Sequence, residues 1–267
     1  MPESLLVEID LAPDVDAALS TRLGGVSTGP YSSMNLGLHV GDLDAAVVEN
    51  RARTAAAFSC ELDELVFMDQ VHGSRVAIVD EAAAGRGARV VDHAIAATDA
   101  LVTSTPQLPL VVLVADCSPI LLADPGAGVL CLVHAGWRGV AGGVVEAAIS
   151  AMLTLGATTS ELIAFVGPSI EQERFEVGEE VVDALRARLG EGIESQVDRS
   201  GPRPLVDLAG ANITSMLAAG VPADSITRFD TGTSDERFFS DRSTRPCGRF
   251  GLLARLAPRS PVASEAP

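Results

Sequence analysis

A chain of 267 residues with 47% hydrophobic and 21% charged content can bury one sizeable core, and its four widely spaced cysteines are not expected to form a disulfide framework. Its net charge of −17 repels a phosphate backbone, which excludes nucleic-acid binding. Every one of the 19 basic residues is arginine, so Schiff-base, pyridoxal and P-loop chemistry, each of which needs a lysine, are excluded as well.

The first residues lack the basic start and apolar stretch of a signal peptide, and no apolar run approaches the roughly 18 residues of a membrane span. A cytoplasmic protein without a membrane partner is expected. Residues 44–58 (DAAVVENRARTAAAF) have an acidic start and high helix propensity and predict a helix, followed by strands over 64–68 and 75–79. Residues 80–97, rich in Gly and Ala without a period, read as a loop free to move. Over 108–134, aliphatic runs broken by Asp-Pro-Gly-Ala-Gly predict a hairpin at the centre of the sheet. A helix over 139–155, a buried strand over 162–166, amphipathic helices over 179–189 and 207–219 and a last strand over 249–256 complete the pattern. The class is α/β or α+β, a single domain over 1–257 with a disordered tail over 258–267.

If the turn at Pro125 to Ala127 pairs Asp124 with Gly128, the antiparallel register brings Cys117 almost opposite His134. His72 follows another predicted strand and precedes a glycine, so it also suits a strand end. Three ligands of N, S and N type fit zinc or a similar ion and leave a fourth position open to water, as a catalytic site requires. Their intervals match no local zinc motif. Cys131 and Cys60 read as small buried hydrophobes, and His93 and His39 as hydrogen-bonded structural histidines.

Several ordered segments carry a resemblance: Thr21-Arg22-Leu23-Gly24-Gly25, Asn35-Leu36-Gly37-Leu38-His39, Asn50-Arg51, Val71-His72-Gly73, Asp99-Ala100-Leu101, Ala115-Asp116-Cys117, His134-Ala135-Gly136-Trp137-Arg138-Gly139 and Phe238-Phe239-Ser240. Over nearly its whole length the chain resembles the laccase-domain family, also called polyphenol oxidase or peptidoglycan editing factor, whose members have been reassigned as purine nucleoside phosphorylases. It departs from the family at Glu171 and at Cys247-Gly248-Arg249. The resemblance implies central mixed β-sheets flanked by helices in a layered sandwich, and a metal (Zn2+, or Cu2+) at His72, Cys117 and His134. It also implies small-molecule substrates: adenosine, inosine and S-methyl-5′-thioadenosine with phosphate as co-substrate, and adenosine deamination as a second activity.

For that chemistry His72, Cys117 and His134 are the catalytic candidates. Arg22, Arg51 and Arg138 are candidates to hold phosphate, because a guanidinium offers a fixed fork of donors. The bland reading of Arg51 is a solvated helix face. Asn35 is a candidate for a base edge or ribose hydroxyl, and otherwise a turn cap. Asp99 and Asp116 are candidates to orient a ligand histidine or move a proton, with orientation favoured. Trp137 suits a pocket wall.

Three other functions compete. A multicopper oxidase needs histidine clusters that four histidines do not furnish, although copper at the single triad would allow slow phenol turnover. A cysteine hydrolase editing peptidoglycan precursors would use Cys117 as nucleophile and His134 as base. A structural-zinc binding module needs a fourth ligand from Cys60, Cys247 or His39. The sequence gives no oligomeric state.

Overall fold

The computed structural model describes residues 4–258, so all but Pro258 of the expected tail lies outside the described residues. In chain order the elements are β1 (Leu6–Glu8), β2 (Val15–Ser20), α1 (Asp44–Ala57), β3 (Val66–Phe67), β4 (Val76–Ile78), β5 (Ala100–Thr103), β6 (Leu110–Val114), β7 (Ser118–Asp124), β8 (Val129–Ala135), α2 (Trp137–Gly142), α3 (Val144–Thr154), β9 (Ile163–Val166), α4 (Glu179–Leu189), β10 (Val197–Asp198), β11 (Leu205–Val206), α5 (Leu208–Ala218), β12 (Ile226–Arg228) and β13 (Phe250–Leu256). No helix among the described residues is long and apolar enough to cross a membrane.

Two mixed sheets dominate. One has the order β1-β2-β13-β6-β3 and the other β12-β9-β7-β8-β5-β4, with β10-β11 as a separate ribbon. Strand alternation explains the layering. On β8, Leu130 and Leu132 join Leu110, Val112 and Leu252 of the facing sheet, whereas Val129, Cys131 and Val133 face Val145 and Ile149 of α3 and Leu185 of α4. On the far side of the five-stranded sheet, Val111, Leu113 and Leu253 meet Ala55 and Phe58 at the end of α1. The molecule is therefore a helix-sheet-sheet-helix sandwich, with every residue of β7 and β8 buried. Cys131 is the small buried hydrophobe expected, and burial pushes its thiol far up.

Helix ends follow local chemistry. Asp207 caps α5 by accepting from the Gly210 amide, while α4 begins with Glu179 and Glu180 and ends with Arg186 and Arg188, complementing its dipole. The helix expected over 139–155 is two helices, because Gly143 adopts φ +81 between α2 and α3. Short strands β1, β2, β5, β10, β11 and β12 went unread in the sequence; β2 (VDAALS) is buried on both faces and shows no polar alternation.

Two expectations about the middle of the chain need correction. β6 and the β7-β8 hairpin belong to different sheets, since the backbone turns sharply at Asp116, whose φ is +91. The hairpin register is also one residue from the expected one: Asp124 pairs with Val129 and Pro119 with His134. The turn holds one residue more, closed by the Gly128 amide to Asp124 O at 2.8 Å and the Ala127 amide to Asp124 Oδ1 at 2.9 Å. Because strand faces alternate, this slip decides which side each residue takes. It puts Cys117 and His134 on the same face, toward the other sheet.

Segment 80–97 is not a free loop. Buried Arg51 donates from Nη1 to the Gly87 and Ala88 carbonyls at 2.6 and 3.0 Å and from Nε to Leu36 O at 2.8 Å, and its guanidinium lies 3.8 Å from the Phe67 ring centroid. Burial lowers its pKa to about 9. Neither a phosphate ligand nor a solvated helix face describes this residue; it is an internal clasp. Arg51→Ala is expected to destabilise the fold by about 3 kcal/mol or more, since buried carbonyls lose their donor. A urea midpoint unchanged from wild type would contradict this.

Candidate metal centre and active site

Three chain segments converge at one end of the six-stranded sheet. Cys117 immediately precedes β7, His134 lies near the end of β8, and His72 lies in the turn leading toward β4 with φ +60. Their ligand atoms all lie within 4.8 Å of one another, and the His72 and His134 rings approach to 4.7 Å between centroids at 75°. His134 is 3% exposed, Cys117 is half-buried and His72 is open to solvent. The donor set of two imidazoles and a thiol suits zinc or copper, and spacings of this size need only small side-chain rotations to reach tetrahedral contact.

Asp99, fully buried just before β5, organises the group. Its Oδ1 faces His134 Nδ1 at 2.8 Å and accepts from the His72 amide at 2.9 Å, while its Oδ2 accepts from the Gly73 and Val71 amides at 2.7 and 3.3 Å. This fixes the His134 ring and leaves Nε2 for a ligand. Burial alone would raise the Asp99 pKa, but these hydrogen bonds, His134 first, hold it below the usual carboxylate range. Burial likewise pushes the Cys117 thiol up, and the adjacent His134 and His72 overcome that and pull it down. His134 shows the mirror effect: burial lowers it, while Cys117 and Asp99 raise it further. Both shifts favour a thiolate beside an imidazolium when no cation is bound.

Gly136 makes the approach of Cys117 possible. A Cβ there would lie 2.7 Å from Cys117 Sγ and 3.2 Å from His72 Cδ2. Its φ of −80 suits any residue, so the requirement is for space. Gly136→Ala is expected to keep the fold but lower metal affinity by about tenfold. Metal titration beside a melting curve checks this, and unchanged affinity would sink it.

The three residues open into a cavity of about 440 Å3 that also receives His39, Gln70, Trp137, Arg138 and Phe175. Arg138 is exposed, with its guanidinium 4.3 Å from the Trp137 ring. The other sequence candidates lie elsewhere. Arg22 donates from Nε and Nη2 to Ser32 O and sits over Phe239, outside the cavity. Asn35 is fully buried: its Oδ1 accepts from the Gly37 and Arg249 amides and its Nδ2 donates to Asp42 Oδ2, so it ties the 35–42 turn to β13 and has no face for a substrate. Asp116 lines the cavity but its carboxylate accepts from Thr233 Oγ1, Ser240 Oγ and the Arg242 amide, not from a ligand histidine.

Sequence reasoning missed Arg242, Arg245 and Arg249, which line the cavity from the segment before β13. Their density in residues 242–249 was the available signal. His39, read as structural, lines it too.

Comparison with known proteins agrees with this architecture. The family model described as multi-copper polyphenol oxidoreductase laccase matches residues 16–257. A purine nucleoside phosphorylase of Mycobacterium bovis is 40% identical over 234 residues, 88% of this chain and 89% of that protein. An adenosine deaminase from an unknown prokaryotic organism is 37% identical over 244 residues, 89% and 93% of the two chains. The crystal structure of the Bacillus licheniformis hypothetical protein YfiH superposes with a TM-score of 0.92 at 30% identity, covering 96% of this chain and 97% of that one.

Proposed function

We infer that this chain, which belongs to the multi-copper polyphenol oxidoreductase laccase family, catalyses phosphorolysis of purine nucleosides at the His72, Cys117 and His134 centre. The observation that carries this is the meeting of a three-ligand set with an arginine-lined cavity. Similarity to a named purine nucleoside phosphorylase supports the same reading. Adenosine, inosine and S-methyl-5′-thioadenosine are the proposed substrates.

In phosphorolysis an oxygen of hydrogen phosphate bonds to C1′ of the ribose as the bond from C1′ to the purine nitrogen breaks. The bonding pair leaves with the base, and the proton of hydrogen phosphate goes to the purine, giving ribose 1-phosphate and free base. The protein must hold two reactants in line and neutralise charge. Trp137 offers a flat face against which a purine can stack, and Arg138 places a cation beside it. Asp99 keeps His134 in one tautomer, with Nε2 turned to the site. A zinc ion held by His72, Cys117 and His134 would supply Lewis acidity toward the substrate, with Cu2+ the other ion suited to these donors.

The test is to purify the protein without added metal, measure ions per chain, and follow inosine and adenosine with and without phosphate. Ribose 1-phosphate formed only with phosphate, by protein carrying about one ion per chain, is expected. Inosine and ammonia formed from adenosine without phosphate would point instead to deamination, which the 37% identical deaminase favours as a second reading. Metal-free protein whose Cys117 alkylates rapidly would replace both with cysteine-hydrolase chemistry.

A further inference from the structure

The cavity that holds the ligand set carries a charge that the rest of the molecule does not predict. In a chain of net charge −17, four guanidinium groups, those of Arg138, Arg242, Arg245 and Arg249, line this one cavity beside only two carboxylates, Asp116 and Asp241. Neither carboxylate neutralises the set. Asp116 is spent on Thr233, Ser240 and the Arg242 backbone amide. Asp241 is taken by Arg245, whose Nε and Nη2 reach its Oδ2 at 2.6 and 2.5 Å, while Arg249 lies 3.6 Å from it through Nη2 and donates from Nη1 to the Cys247 and Gly248 carbonyls. Arg242 uses Nη1 on the Arg174 carbonyl at 2.7 Å, which steadies the fork without cancelling its charge. Arg138 has only the Trp137 face. Arg138 and Arg242 are exposed, lie over the Trp137 and Phe175 rings and keep N–H donors that the protein itself does not use, so an anion entering the cavity meets guanidinium forks ready to receive it.

We propose that Arg138 and Arg242, backed by Arg249, form the subsite that binds inorganic phosphate beside the metal centre, with Asp116 as the residue that positions it. The identity of the anion rests on the phosphorolysis reading. The geometry of the subsite does not. A guanidinium presents its donors in the plane that two oxygens of a tetrahedral oxyanion can match, and Arg242 and Arg138 reach the cavity from different segments, so one phosphate can be held from two sides. Asp116 links this wall to the catalytic one. It is adjacent to Cys117, its backbone lies at the unfavourable φ of +91, its carbonyl accepts from the Ile170 amide at 2.9 Å, and its carboxylate fixes the start of the 242–249 segment. A residue so constrained sets the distance between the metal ligand before β7 and the arginines before β13.

The experiment titrates inorganic phosphate calorimetrically into the metal-loaded wild type and into Arg138→Gln, Arg242→Gln, Asp116→Asn and, as a control outside the cavity, Arg22→Gln. Phosphate-dependent kinetics at saturating inosine run alongside. Loss of either cavity arginine is expected to weaken phosphate binding about tenfold and raise the phosphate KM in step with metal content unchanged, and in Arg242→Gln, which lies away from the Trp137 face, the inosine KM is expected to stay at the wild-type value. Asp116→Asn is expected to move the phosphate KM the same way with metal retained, and Arg22→Gln to change neither. Phosphate affinity unaltered in both arginine variants would overturn the subsite. An arginine-dependent phosphate site in a protein with no phosphorolysis would support the subsite and remove the functional reading. A second arm uses adenosine 5′-monophosphate; arginine-dependent binding of it with none of free phosphate would overturn inorganic phosphate as the occupant.

Discussion

Cys117→Ala is expected to leave a folded protein without its metal ion and with inosine turnover reduced by about a thousandfold or more. Cys117 lies at the edge of the core between the sheets and is half-buried, so deleting its sulfur removes little packing. Its chemical loss is larger. The thiolate is the one anionic member of the ligand set, and two imidazoles alone hold a divalent cation weakly. The metal-bound state also needs His134 neutral, whereas in the metal-free protein Asp99 and the thiolate favour its proton. Metal loading of wild type should therefore release about one proton per ion, and affinity should fall as pH falls. The sign follows from both partners: the raised His134 pKa keeps imidazolium present to higher pH, and as pH drops through the lowered Cys117 pKa the thiolate itself is lost. Metal per chain, proton release in weak buffer and a melting curve on one preparation check the prediction. A variant that keeps both its ion and its turnover would refute the centre as drawn.

Asp99→Ala is expected to damage the fold more than any ligand substitution, by about 3 to 5 kcal/mol. The fully buried carboxylate accepts from the amides of Val71, His72 and Gly73 and from His134, and alanine leaves these groups facing a cavity. The turn carrying His72 would lose its anchor while β5 and β8 remained paired through Ala100 and Val133. Asp99→Asn separates the two roles. It preserves shape but turns one acceptor into a donor, so metal affinity should drop about 10- to 100-fold with a smaller loss of stability. In wild type the depressed Asp99 pKa means that its contribution is complete above the unfolded carboxylate pKa and is lost as pH falls through the folded one. Denaturant midpoints as a function of pH should show a larger acid-side loss in wild type than in Asp99→Ala, where the other depressed carboxylates such as Glu171 and Asp235 remain. Equal acid sensitivity of the two proteins would assign it to other carboxylates.

The sequence by itself determined the elements with clear periods and the residue types available for chemistry. The amphipathic run 179–189 became α4, and the aliphatic runs on either side of Asp-Pro-Gly-Ala-Gly became β7 and β8, because burial of a period needs no distant information. The absence of lysine and the candidate set His72, Cys117 and His134 were equally legible. Tertiary structure decided everything that depended on distant partners. One extra turn residue set the hairpin register and thus the shared face of Cys117 and His134. Arg51 looked like a surface cation until carbonyls 36 and 37 residues away enclosed it, and Asn35 looked like a ligand contact until the Arg249 amide just before β13 used its side-chain Oδ1. The arginine wall depends on a hydrogen bond between Asp116 and a backbone 126 residues later. Local propensity reports which residues prefer burial or a turn, whereas a buried polar group takes its role from the partner that chain closure brings to it.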